Sequence, residues 1–126
     1  MQVNDAMSTE VLTIGPTHTL REAAARMSSR KVGAAVVIDG DQDQPGILTE
    51  RDILDAVGGG QDVDSERVEA HLTSDIVVAH PDWDLGKAAG AMVAGGFRHL
   101  VVCEGTEVVG MLSVRDIVRV SSTQPA

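Results

Sequence analysis

Aromatic side chains are nearly missing from this chain: there is no tyrosine, one phenylalanine (Phe97) and one tryptophan (Trp83), 2% of 126 residues. The hydrophobic fraction is nevertheless 43%. Val, Ile, Leu, Ala and Met must therefore fill the core, which points to small, closely fitted layers of helix and sheet. Cysteine is as scarce. The one present, Cys103, sits in the apolar run Leu100-Val101-Val102-Cys103. A disulfide framework within the chain is excluded, a reducing cytoplasm is the expected setting, and the thiol reads first as a small buried hydrophobe. Positive charge is in short supply, with 10 Lys and Arg against 19 Asp and Glu and a formal net charge of −9. Such a surface repels phosphate backbones and anionic lipid, so neither nucleic acid nor membrane is expected as a main partner. No apolar run is long enough to span a bilayer, and Met1-Gln2-Val3-Asn4-Asp5 lacks the basic start of an export signal. A soluble cytoplasmic protein is expected. His18, His71 and His80 show no metal-ligand spacing with one another or with Cys103, and no metal is assigned.

What the chain does have is a copy of itself. An offset of 65 residues pairs Pro16 with Pro81, Leu20 with Leu85, Ala23-Ala24 with Ala88-Ala89 and Met27 with Met92. The same offset pairs Val3 with Val68, Val36-Val37 with Val101-Val102 and Gly40 with Gly105. After one extra residue in the first copy the offset becomes 64, pairing Gly46, Leu48, Arg51, Asp52 and Ile53 with Gly110, Leu112, Arg115, Asp116 and Ile117. These are 14 identities over 47 aligned positions, and chance from composition would give roughly one in twenty. Two copies are too few for a solenoid, so a closed two-fold pair is expected.

Each copy reads as β-α-β-β-α. Short β-type runs at 11–14 and 76–79 stop before a proline. A helix follows, with Thr19 and Glu22 spaced as a capping box and Leu20, Ala23, Ala24 and Met27 along one face; its twin runs from Asp84. Continuous apolar runs at 33–38 and 46–48, and at 99–103 and 108–112, are joined through turns at Asp39-Gly40-Asp41 and Glu104-Gly105. They predict antiparallel hairpins whose strands are covered by helices. A last helix starts at Thr49 or Ser113. The expected domains are a first repeat at 1–57, a linker at 58–66, a second repeat at 67–120 and a flexible tail at 121–126. Gly58-Gly59-Gly60 lacks the Lys-Ser/Thr of a phosphate loop and reads as linker.

The succession Met-Ser/Thr, short strand, Pro, Leu-x-x-Ala-Ala-x-x-Met, apolar strand, Gly-φ-φ-Ser/Thr-x-x-Asp (φ apolar) resembles the CBS domain. It runs from Met7 to Leu54 and again from Leu72 to Val118. The resemblance implies an α/β (α+β) fold in which two CBS repeats pack by pseudo-two-fold symmetry into one module with two clefts. It implies adenine-containing ligands, AMP, ADP or ATP, with S-adenosylmethionine or NAD as less frequent choices, and no required cofactor. It also implies a homodimer formed through the last helix of each copy.

The richest motif is Gly46-Ile47-Leu48-Thr49-Glu50-Arg51-Asp52, repeated as Gly110-Met111-Leu112-Ser113-Val114-Arg115-Asp116. A hydroxyl followed three residues later by an acid is what an ordinary helix start looks like. The same arrangement suits an oxygen-rich ligand, because a helix N-terminus offers free N–H groups and a carboxylate can accept both hydroxyls of a ribose. By the resemblance this Asp binds the ribose and the Ser/Thr helps hold sugar or phosphate. The resemblance also assigns Thr13, His18, Val32, Gly33, Ala34, His99, Ser113 and Asp116 to one cleft. It assigns Val78, Trp83, Phe97, Arg98, Thr49 and Asp52 to the other. Arg98-His99 stands where the family often places phosphate-contacting basic residues, and reads equally as a solvated Arg beside a strand histidine. Its counterpart is Gly33-Ala34, so the clefts are expected to differ. Where many members have a proline in the second strand, this chain has Val36 and Val101.

A regulatory module that binds an adenine nucleotide and signals to an unidentified separate protein is the expected function. An adaptor that dimerises with vestigial clefts is the alternative. No nucleophile-base pair or paired acids beyond the duplicated Asp suggest an enzyme.

Overall fold

The structure, a computed structural model, describes residues 1–123. The chain folds into two compact units. The first is Leu12–Ile76, and the second joins Met1–Val11 to the chain from Val77 onward. Each holds one three-stranded sheet.

In the first unit, β1 (Thr13–Ile14) pairs parallel with β2 (Ala34–Val37), which pairs antiparallel with β3 (Gly46–Thr49). All four β2 residues are buried, as expected for a short strand apolar on both faces. Helix α2 (Leu20–Arg30) begins as its sequence predicts. The Thr19 side chain accepts the Glu22 N–H at 3.1 Å, and Glu22 Oε1 accepts the Thr19 N–H at 3.1 Å. Leu20, Ala23 and Met27 meet Leu12, Ile14, Ala35, Val37, Leu48, Ala56 and Val68 in the core. Helix α3 (Glu50–Gly58) closes the unit.

The second unit repeats this plan with β4 (Val78–Ala79), β5 (His99–Glu104), β6 (Glu107–Ser113), α4 (Leu85–Gly95) and α5 (Val114–Thr123). Cys103 is buried in β5, and burial pushes its thiol pKa up. Both expected hairpins form.

The units do not coincide with the sequence repeats. A four-residue helix, α1 (Val3–Ala6), precedes the first repeat but packs into the second unit, where Val3 and Ala6 are buried with Leu85, Met92 and Leu100. Its N–H groups reach back: Val3 donates to Trp83 O and Asn4 to Pro81 O, both at 2.9 Å. The equivalent 3-10 turn, Val68–Ala70, serves the first unit in the same way. Val68 donates to His18 O at 2.8 Å and Glu69 to Pro16 O at 2.9 Å. Bridges Ser8–Met111 and Thr73–Ile47 extend the parallel. The order is thus α-β-α-β-β-α rather than β-α-β-β-α, with a short 3-10 turn standing for the first helix of the second copy.

The segment expected as a linker at 58–66 is also structured. Gly58 ends α3, Arg21 N–H donates to Val63 O at 3.0 Å, and the Arg21 guanidinium pairs with Asp64. The tail expected at 121–126 is helical through Thr123, because α5 continues that far; 124–126 lie outside the described residues. Among the described residues no helix is long and apolar enough to cross a membrane.

Candidate functional site

The two hydroxyl-acid pairs sit where β3 runs into α3 and β6 runs into α5. Their geometry is nearly identical. Asp52 Oδ2 accepts the Thr49 N–H at 2.8 Å and the Thr49 hydroxyl at 3.0 Å, while Asp52 N–H donates to Thr49 Oγ1 at 3.2 Å. Asp116 Oδ2 accepts the Ser113 N–H at 2.9 Å and the Ser113 hydroxyl at 3.0 Å, and Asp116 N–H returns to Ser113 Oγ at 3.1 Å. Each is a capping box. An ionised carboxylate offers about four acceptor directions, and the box uses the two on Oδ2. Asp52 Oδ1 has no protein partner among the described residues. Asp116 Oδ1 lies 3.4 Å from Arg119 Nη2, which also donates to Ala6 O at 3.0 Å. All four capping residues are half-buried.

The remaining expected residues fall unit by unit. In the first unit Thr13 is exposed on β1 opposite Val36, Val32 is exposed, and Ala34 is buried opposite Thr49. Gly33 O accepts the Glu50 N–H at 2.9 Å. A Cβ on Gly33 would lie 3.0 Å from Glu50 Oε1, so the Glu50 carboxylate rests against this glycine. His18 turns back on its own loop, its Nδ1 accepting the Gly15 N–H at 3.0 Å. In the second unit Val78 is half-buried on β4, His99 stands opposite Ser113, and Arg98 O accepts the Val114 N–H at 2.9 Å. Phe97 and Trp83 pack against the core of that unit, with Lys87 Nζ 4.0 Å from the Trp83 ring centroid.

Local charge separates the two helix starts. Around α3 stand Glu50 and Asp55, with Arg51 paired to Asp55 at 3.3 Å. At the matching places of the second unit stand Val114 and Arg119, and Arg98 takes the place of Gly33. Lys31, in the left-handed conformation just ahead of Val32 and Gly33, is a cation of the first unit that sequence reasoning missed. Nothing in a lysine side chain announces a positive φ.

The CBS domain profile matches residues 3–59 and 68–123, nearly the whole chain. The chain belongs to the CBS domain family. An uncharacterised 17.7 kDa protein of Acidianus ambivalens is 35% identical over 119 residues, 94% of this chain and 71% of its own length. Among solved structures, the CBS-domain protein ATU1752 from Agrobacterium tumefaciens is 32% identical, with a TM-score of 0.88 over 96% of this chain and 99% of that one. A hexameric CBS-CP12 protein from bloom-forming cyanobacteria is 28% identical, with a TM-score of 0.92 over 100% of this chain and 76% of that one. Relatives from Methanocaldococcus jannaschii and Methanopyrus kandleri are longer, and the chain spans 41% and 62% of their lengths. The CBS pair is therefore a unit found both near its own length and inside larger chains.

Proposed function

We propose that this CBS pair is a non-catalytic regulatory module that binds an adenine-containing nucleotide, of the AMP, ADP or ATP class, and passes the bound state to a separate protein. The observation that carries the reading is the twin capping box. In both repeats a half-buried Asp spends one carboxylate oxygen on fixing its own position; Oδ1 of Asp52 is left for an incoming group, while Oδ1 of Asp116 is shared with Arg119 at 3.4 Å. A ribose diol needs two acceptor directions close together at a donor-rich helix start; Oδ1 of Asp52 offers two, and Oδ1 of Asp116 offers what its long contact with Arg119 leaves. S-adenosylmethionine and NAD carry the same ribose and are alternatives to the nucleotide.

The charge difference supports unequal ligands. Arg98 and Arg119 of the second unit, which stand where the first has Gly33 and Asp55, favour a phosphorylated ligand. Glu50 and Asp55 of the first do not. Self-association is part of the proposal. Leu54 and Val57 on α3 and Val118 on α5 are 61%, 55% and 60% exposed, which suits pairing with a second copy. The cyanobacterial relative is described as hexameric.

The test is calorimetric titration of ligand-free protein with AMP, ATP, S-adenosylmethionine and NAD. Saturable binding lost in Asp52→Ala or Asp116→Ala, with folding retained, supports the reading. A folded protein that binds none of them favours a dimerising adaptor instead.

A further inference from the structure

Arg119 joins two parts of the second unit that the sequence keeps 113 residues apart. Its Nη2 donates to Ala6 O at 3.0 Å and lies 3.4 Å from Asp116 Oδ1. The first contact caps a helix. The last carbonyls of a helix have no partner within it, and arginine is among the side chains that satisfy them. Here the arginine that closes α1 comes from α5, the helix whose start Asp116 caps.

The two contacts are unequal, and they compete. Nη2 carries two hydrogens, so it serves both acceptors at once. The bond to Ala6 is of ordinary length, whereas 3.4 Å is long for a guanidinium beside a carboxylate. The Ala6 carbonyl thus holds Arg119 short of a full ion pair with Asp116. The first unit is built differently. Ala6 corresponds there to His71 and Arg119 to Asp55, and an ionised carboxylate cannot donate to a carbonyl. Asp55 pairs with Arg51 instead.

We propose that Arg119 couples the ligand site at Asp116 to the docking of the N-terminal segment. A hydroxyl accepted by Asp116 Oδ1 takes the direction that Arg119 now occupies, and the guanidinium shifts wholly to Ala6 O. Ligand binding then tightens α1. Conversely, when α1 lifts away, Arg119 closes on Asp116 and occupies the acceptor that a ribose needs. The inference rests on the reading of Asp116 as a ribose-binding group and adds the segment that senses whether it is filled. Such linkage is reciprocal, so ligand and segment favour each other by the same factor. The Arg119–Asp116 pair is i, i+3 on one helix, with 59% of the Arg119 side chain exposed. Pairs of that kind predict a factor of about two.

The experiment follows hydrogen exchange of the full chain by NMR, with and without saturating adenosine, which carries the ribose but no phosphate for an arginine to hold. The Met7 amide reports on α1: it belongs to the same peptide group as the Ala6 carbonyl and donates to Val3 O at 2.9 Å. Leu72, its counterpart in the first unit, donates to Val68 O at 3.0 Å and is the internal control. Adenosine should slow exchange at Met7 about twofold, shift the Ala6 carbonyl carbon to lower field, and leave Leu72 unchanged. Arg119→Met keeps the unbranched stem and removes the donors. It should bind adenosine about twofold tighter, and its Met7 amide should no longer respond. A Met7 amide indifferent to adenosine in the unaltered chain, or an equal response at Leu72, overturns the coupling while nucleotide binding stands. So does a Met7 response that survives in Arg119→Met, or weaker adenosine binding by that variant. No binding of adenosine or AMP by the unaltered chain overturns both readings.

Discussion

Lys31 ends α2 in the left-handed conformation, φ 57°, at the position where Gly96 ends α4 with φ 70°. The backbone makes the same turn in both repeats, but only one of them uses the residue that turns without steric cost. A side chain in this region costs roughly 1–2 kcal/mol. Part of that is offset because glycine also loosens the unfolded chain. Lys31→Gly is expected to stabilise by about 1 kcal/mol, and Gly96→Lys to destabilise by a similar amount. For a chain of this size that is a shift of roughly 3–5 °C in Tm, read by calorimetry. A Lys31→Gly variant that melts lower would show that the lysine side chain makes a contact worth more than the strain.

The exchange of N-terminal segments brings a second pair of glycines under constraint. A Cβ on Gly46 would lie 2.8 Å from Leu72 Cδ1 and 3.0 Å from Thr73 O. On Gly110 it would lie 2.6 Å from Met7 Sδ and 2.9 Å from Ser8 O. The methionine tip can move, but the carbonyls belong to the bridges that anchor the exchanged segments, Thr73 with Ile47 and Ser8 with Met111. Gly46→Ala and Gly110→Ala should each cost about 1–3 kcal/mol, as overpacking does. Urea unfolding measures it, and a neutral Gly110→Ala would mean that this bridge gives way freely.

Much of this was legible in the sequence, for local reasons. The Thr19–Glu22 and Thr49–Asp52 boxes are three-residue spacings, and the hairpins follow from glycine turns between apolar runs. What escaped is long-range or too short to carry a period. Helix α1 has four residues, one turn, and no hydrophobic periodicity can be read from it. Aligning Val3 with Val68 establishes that they are equivalent but not which sheet either one covers. Asp64, in a polar stretch that reads as linker, pairs with Arg21, 43 residues away. At the site, the spacing placed Asp52 and Asp116 at helix starts. That one oxygen of each is committed to the cap follows only from the geometry.

If α1 is a structural part of the second unit, its anchor should matter as much as a residue within that unit. Val3 and Val68 are each 0% exposed, in the core clusters of the second and first units. Val3→Ala and Val68→Ala remove two buried methyl groups and leave a void, at a cost of about 2 kcal/mol each. Hydrogen exchange should then localise the damage. Val3→Ala is expected to loosen amides of α4, β5 and β6, far along the chain from residue 3, and to spare β1 to β3. Loss of protection in α2 instead would contradict the exchange.

Acid should weaken the first helix of the first unit. Backbone and side-chain hydrogen bonds from Thr19 hold the Glu22 pKa below its ordinary value of 4.5. A carboxylate with a depressed folded pKa contributes stability above its unfolded value, and that contribution disappears as pH falls through the folded value. Asp64, lowered from 3.8 chiefly by the hydrogen bond from Arg21, acts in the same direction. Glu22→Gln should therefore destabilise the protein at neutral pH, and the deficit should shrink as pH falls through the depressed folded-state pKa of Glu22. Parallel thermal melts across this range check the sign. A deficit that persists undiminished in strong acid would mean that the glutamate acts through something other than its charge.

The sharpest separation of cap from binding group comes at Ser113 and Asp116. Ser113→Ala removes the hydroxyl that donates to Asp116 Oδ2 and accepts from Asp116 N–H. Losing an N-cap hydroxyl costs about 1 kcal/mol. Asp116→Asn keeps a side-chain oxygen for the Ser113 N–H and hydroxyl, so much of the cap survives. If that oxygen takes the place of Oδ2, the amide NH2 falls where Oδ1 stood, and a donor then faces the ribose hydroxyls in place of an acceptor. Stability and binding should therefore rank the two variants in opposite order: Ser113→Ala more destabilised, Asp116→Asn weaker in binding AMP by about tenfold or more, the worth of hydrogen bonds to a charged group. Melting and titration on the same two proteins decide it. If affinity simply follows stability in both, Asp116 is a helix cap and the ligand is held elsewhere.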